Sequence, residues 1–86
     1  MKTYKIVVSG RVQNVGYRMS CLEKANELGI KGTVHNSRFG QVEIVAQGKR
    51  IDEFMAWCRA GPILARVDSL DVSTTEEPAY EGFTVI

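Results

Sequence analysis

The chain has 86 residues, 44% of them hydrophobic, enough for one compact domain with one core and too few for a second, so residues 1–86 are expected to form a single domain. Eleven Lys and Arg against ten Asp and Glu leave a formal net charge of +1, which provides no global field for a polyanion or an anionic membrane. No stretch approaches the roughly 20 apolar residues of a membrane helix, and the Met1-Lys-Thr-Tyr-Lys5 start runs into a strand pattern rather than a signal-peptide core, so the expectation is a cytoplasmic protein binding neither nucleic acid nor membrane.

Tyr4 to Ser9 is rich in β-branched and aromatic residues and stops at Gly10, as a strand entering a turn should. Beyond the next loop, Met19, Leu22, Ala25 and Leu28 recur at helical spacing and Gly29 supplies a left-handed terminus, which predicts a helix from about Tyr17 to Leu28. Gly32 to Asn36 and Gln41 to Gln47 read as strands joined by a short turn containing Gly40, hence as antiparallel neighbours. Between Lys49 and Ala60 the residues Ile51, Phe54, Met55, Trp57 and Cys58 recur at three and four, and Gly61-Pro62 stops this second helix. Ala65 to Ser73 reads as a fourth strand, Thr74 to Pro78 as a polar loop, and Phe83 to Ile86 as a short closing strand.

The order β-α-β-β-α-β matches the ferredoxin-like α/β sandwich of the α+β class: an antiparallel sheet with two helices on one face, here with a short extra C-terminal strand. RNA-recognition domains share the order but need stacking aromatics on the central strands, and Gln41 to Gln47 has none. Cys21 and Cys58 lack the paired spacings of zinc or redox sites and read as small core residues in a reducing compartment; the residues alone leave a disulfide between them open. His35 is the single histidine, so a catalytic pair or a multi-histidine metal site is excluded by count, and it reads as a half-exposed strand residue.

The chemistry concentrates in Gly10-Arg-Val-Gln-Asn-Val-Gly-Tyr-Arg18, which joins the first strand to the first helix. At such a junction unpaired backbone N–H groups and the positive helix end favour an anion. Glycines let the main chain fold toward a ligand, and Arg18 in the first helical turn offers a planar fork to phosphate oxygens. The segment has neither the Lys-Ser/Thr ending of a nucleotide P-loop nor the full dinucleotide glycine pattern. Read by itself it competes with plain turn chemistry and a solvated arginine.

Four separated segments carry a resemblance. Gly10-Arg-Val-Gln-x-Val-Gly-aromatic-Arg18 closely resembles the first signature of the acylphosphatase family, and Gly32-Thr-Val-His-Asn36-Ser-Arg-Phe-Gly40-Gln-Val-Glu43 resembles the second. Gly61-Pro62-x-x-Ala65-x-Val67 and Gly82-Phe83-x-Val-Ile86 extend the likeness over nearly the whole chain. The resemblance implies hydrolysis of the carboxyl-phosphate bond of a small-molecule acyl phosphate to a carboxylate and inorganic phosphate, with no metal and no cofactor, by a monomer. It matches the family's catalytic Arg to Arg18 and its catalytic Asn to Asn36. Phosphate would rest on the backbone amides of Gln13, Asn14, Val15, Gly16, Tyr17 and Arg18 with the Arg18 guanidinium.

Elementary chemistry agrees with that implication. A carboxylate leaving group has a conjugate acid of pKa ~4 to 5 by analogy with side-chain carboxyls, so it departs without a general acid. Positioning and electrostatic stabilisation of the phosphoryl charge then carry the reaction. Asn36 can orient a water without itself changing protonation. Three positions depart from the family pattern: Asn14 for a glycine in the anion cradle, Thr33 for an aromatic, and Phe39 for a turn Asp. Asn tolerates positive φ best among non-glycine residues, so the loop is expected to survive. Phe39 reads either as an exposed contact or as a tip folded back on the sheet, and Arg11 and Lys24 as solvated surface. The alternative function is a non-catalytic module binding phosphate or carbamoyl phosphate; a ferredoxin-like interaction module ranks below it.

Overall fold

The computed structural model describes residues 1–86. Its elements in chain order are β1 (Lys2–Arg11), α1 (Tyr17–Leu28), β2 (Lys31–Asn36), β3 (Val42–Gln47), α2 (Ile51–Ala60), β4 (Arg66–Glu76) and β5 (Phe83–Val85). Period-two alternation decides which side of the sheet is covered. Ile6 and Val8 of β1, Val34 of β2, and Val42, Ile44 and Ala46 of β3 are all buried, and they join Tyr17, Cys21, Ala25 and Leu28 of α1 and Ile51, Phe54 and Cys58 of α2 in one core. Full burial of a side chain such as Phe54 stabilises by about 1.5–3 kcal/mol relative to exposure.

The sheet order is β4-β1-β3-β2-β5. The first four strands pair antiparallel, as the ferredoxin-like reading requires. The extra strand β5 joins parallel to β2, through Gly32 with Phe83 and Val34 with Val85, so the sheet is mixed at that edge. Phe83 pins β5 to the core by an edge contact with Phe54, ring centroids 6.0 Å apart. Because β2 ends and β3 begins at the pair Asn36 and Val42, and β1 ends beside them, the loops after β1 and β2 meet at one end of the sheet.

α1 spans the residues the periodicity predicts, and Gly29 ends it at φ 67 with its N–H on the carbonyls of the last turn. α2 starts at Ile51 rather than Lys49; Arg50 precedes it, with its guanidinium held by both oxygens of Glu53 at 2.9 and 2.8 Å. Two strand ends correct the reading. β1 continues past Gly10 to Arg11 through a bulge in which Ser9 faces Ser69 and Gly10 faces Val67, leaving Asp68 without a partner. Gly10 has φ 129, and a Cβ there would collide with the Arg66 carbonyl. β4 continues through Thr74, Thr75 and Glu76, the stretch read as polar loop, because these residues pair with Tyr4, Thr3 and Lys2.

Cys21 and Cys58 are both free and buried. Burial raises both thiols, Cys58 to about 12, so at neutral pH they are protonated core residues rather than nucleophiles. His35 is half-exposed on β2, its Nε2 3.4 Å from the Glu43 carboxylate across the strand pair.

Candidate active site

Val12 and Val15 anchor the loop after β1 by entering the core at 1% and 8% exposure, and the backbone between them turns outward. Asn14 at φ 61 and Gly16 at φ 78 are both left-handed, so Asn fills the family's glycine position in the conformation it tolerates best. α1 then begins at Tyr17 with no side-chain cap. No backbone N–H from Gln13 to Met19 donates to an acceptor within the chain. The first N–H groups of a helix are orphans anyway; here the loop before it adds more, and the positive helix end lies among them.

These residues border a cleft of about 170 Å³ lined by Val12, Asn14, Gly16, Tyr17, Arg18, Met19, Asn36 and Val85. It unites Arg18 from the first turn of α1 with Asn36 from the end of β2, residues that lie in separate signatures of the sequence. The half-buried Arg18 donates from Nη1 to an Ile86 oxygen at 3.1 Å. Asn36 presents a buried Oδ1 that receives no hydrogen bond. Leaving a buried acceptor without a partner costs about 1–3 kcal/mol.

Of the residues expected at the site, Asn14, Gly16, Tyr17, Arg18 and Asn36 reach the cleft. The side chains of Gln13 and Val15 do not. Val15 packs in the core, and Gln13 reaches the β2–β3 turn, where Nε2 donates to the Ser37 carbonyl at 2.8 Å and the Gln41 carbonyl at 3.0 Å. Both leave their backbone N–H unpaired, the part of them that the sequence reading invoked. Tyr17 is 1% exposed and donates its hydroxyl to the Cys58 carbonyl at 2.7 Å; burial pushes its ionisation far up, which removes it as an acid or base at neutral pH.

Val12, Met19 and Val85 were missed as cleft walls. Met19 had a signal, its place directly after Arg18, whereas Val85 arrives only through the parallel β2–β5 pairing. Phe39 is 77% exposed with the Arg38 guanidinium 5.5 Å from its ring centre, an exposed tip rather than a folded-back one. Arg11 is exposed, and Lys24 pairs with Glu27 at 2.9 Å.

The Acylphosphatase family model matches residues 4–85. An acylphosphatase of Methylococcus capsulatus is 53% identical over 74 residues, covering 84% of this chain and 80% of its own. Among solved structures, acylphosphatase from Bacillus subtilis aligns with a TM-score of 0.94 at 29% identity, over 100% of this chain and 99% of that one. An acylphosphatase from Coxiella burnetii aligns with a TM-score of 0.93 at 36% identity, over 99% and 92%. A match that runs from β1 through β5, takes in both loops of the cleft and is shared by sequence and fold leaves one assignment: the chain belongs to the acylphosphatase family.

Proposed function

We propose that the chain hydrolyses acyl phosphates by direct attack of water, with Arg18 and the loop amides holding the phosphoryl group and Asn36 orienting the water. The carrying observation is the cleft itself, in which Arg18, unpaired backbone N–H groups and Asn36 come together. In the reaction the water oxygen bonds to phosphorus, the phosphorus bond to the carboxyl oxygen breaks, and its electron pair leaves with the carboxylate. One water proton is released to solvent. The amides of Gln13 to Arg18 and the guanidinium are fixed donors facing charge that spreads over the phosphoryl oxygens, so they stabilise the transition state without reorganising.

Asn36 lines the cleft, and its carboxamide carries both a donor and an acceptor, so it can hold a water in line and replace a costly encounter by a prepared one. No group of three or more His, Cys, Asp or Glu side chains is placed to hold a metal ion, and the proposed chemistry calls for none. Two buried free thiols support a reducing, cytoplasmic setting.

The test is phosphate release from benzoyl phosphate and acetyl phosphate in the presence of EDTA, with inorganic phosphate as inhibitor. Saturable turnover that survives the chelator and is inhibited competitively by phosphate is expected. A folded protein that binds phosphate without turnover would instead favour the non-catalytic binding module.

A further inference from the structure

Asn36 has nothing on its own side-chain oxygen to fix its direction. Its direction depends in part on the main chain on either side, and on one side that is the β2–β3 turn beginning at Ser37. The turn is closed internally: Ser37 N–H donates to the Gln41 carbonyl at 2.8 Å, and Ser37 Oγ accepts from the N–H groups of Phe39 and Gln41, each at 3.2 Å. Gln41 Nε2 ties its far side to Ser9 Oγ on β1 at 2.9 Å. The turn is therefore braced internally and against β1, and a further contact holds it to the loop after β1.

The Gln13 carboxamide makes that contact. Its Nε2 donates to both the Ser37 carbonyl and the Gln41 carbonyl, at 2.8 and 3.0 Å, spanning 24 and 28 positions of sequence. Both partners are carbonyl oxygens, so the amide nitrogen and not its oxygen must face them, and both N–H donors are used. Gln13 lies next to Asn14 of the cleft, and Ser37 lies next to Asn36.

We propose that Gln13 is a positioning residue, whose side chain sets Asn36 in register with the phosphate loop while touching neither substrate nor water. The inference rests on the catalytic reading above. It assigns a second role to a residue whose backbone amide belongs to the phosphate cradle, and the two roles are separable because a substitution removes the carboxamide and leaves the N–H.

The experiment compares the wild type with Gln13→Met, which has similar length and no donors, and with Gln13→Glu, whose carboxylate faces two carbonyls. Rates on benzoyl phosphate, KM and inhibition by inorganic phosphate are measured well below the Tm of each variant. Misplacement of a reacting group by an ångström can cost on the order of a hundredfold, so kcat of Gln13→Met is expected to fall by about tenfold to a hundredfold with phosphate inhibition unchanged. The deficit of Gln13→Glu relative to wild type is expected to shrink as pH falls through the carboxyl range, roughly 4 to 5, because the protonated acid regains one donor.

Full kcat in Gln13→Met, parallel losses of kcat and phosphate binding, or a pH-independent deficit in Gln13→Glu would each overturn the assignment. The pH arm compares Gln13→Glu with wild type at each pH and so stands even if Gln13→Met does not fold. Failure of the wild type to turn over benzoyl phosphate would remove the underlying reading instead, which separates the two failures.

Discussion

Two carboxamides at opposite ends of the sheet are treated in opposite ways. Gln47, at the end of β3, is 1% exposed and fully engaged: its Nε2 donates to Thr3 Oγ1 at 2.8 Å and the Pro78 carbonyl at 3.0 Å, and its Oε1 accepts the Tyr80 N–H at 2.9 Å. Asn36, at the end of β2, also has its oxygen sealed from solvent, yet that oxygen receives nothing. The backbone repeats the contrast. The chain crossing over Gln47 is tied down by Glu77 N–H to the Met1 carbonyl at 3.1 Å, whereas the N–H groups of Gln13 to Met19 are open. Polar groups are paired where they fasten the fold, and unpaired N–H groups gather beside the cleft.

Substitutions at the two ends should therefore fail in different ways. Arg18→Ala is expected to have the largest effect, lowering turnover by about 10³-fold or more and abolishing inhibition by phosphate, with little change in Tm. Steady-state kinetics and a thermal melt check both halves. Asn36→Ala should lower kcat by about 10²-fold with phosphate inhibition retained. Its urea midpoint should hold or rise, since it removes an unsatisfied acceptor. If it instead lost stability, Asn36 would be a fastener like Gln47 and the contrast would break.

Gln47→Leu should show the reverse pattern. About 1–3 kcal/mol of stability is expected to go in urea unfolding, because the Tyr80 N–H and its neighbours lose partners, with kcat per folded molecule unchanged. Smallest is Asn14→Gly. Asn14 already occupies the left-handed region that glycine prefers, so activity should change by less than about tenfold. A rise of orders of magnitude would show that the Asn side chain obstructs the cleft.

Most of the architecture was legible where local chemistry and tertiary structure agree. α1 was legible because Gly29 ends it and the apolar spacing from Met19 to Leu28 runs along it. The end of β4 was not, because Thr74 and Thr75 lie on an edge strand whose polarity resembles that of a loop. Only pairing with Lys2 to Tyr4, far away in sequence, makes them extended. Parallel pairing of β5 was equally hidden, since three residues carry no register signal of their own. Arg18 and Asn36 were legible through their two signatures. The contact of Gln13 with the turn after Asn36 was not, because it joins residues that only the completed sheet brings together.

The bulge opposite Gly10 has a consequence at the molecule's border. β4 is the outermost strand, 11 residues long, and a straight edge of that length would offer its free N–H and C=O groups as a template for a strand from another molecule. Asp68, the unpaired extra residue, interrupts that edge, and Arg66, Asp71 and Glu76 add exposed charge along the same strand. One irregularity thus lies where the chain enters the loop after β1 on its inner side and discourages edge-to-edge aggregation on its outer side, so straightening β4 would endanger solubility.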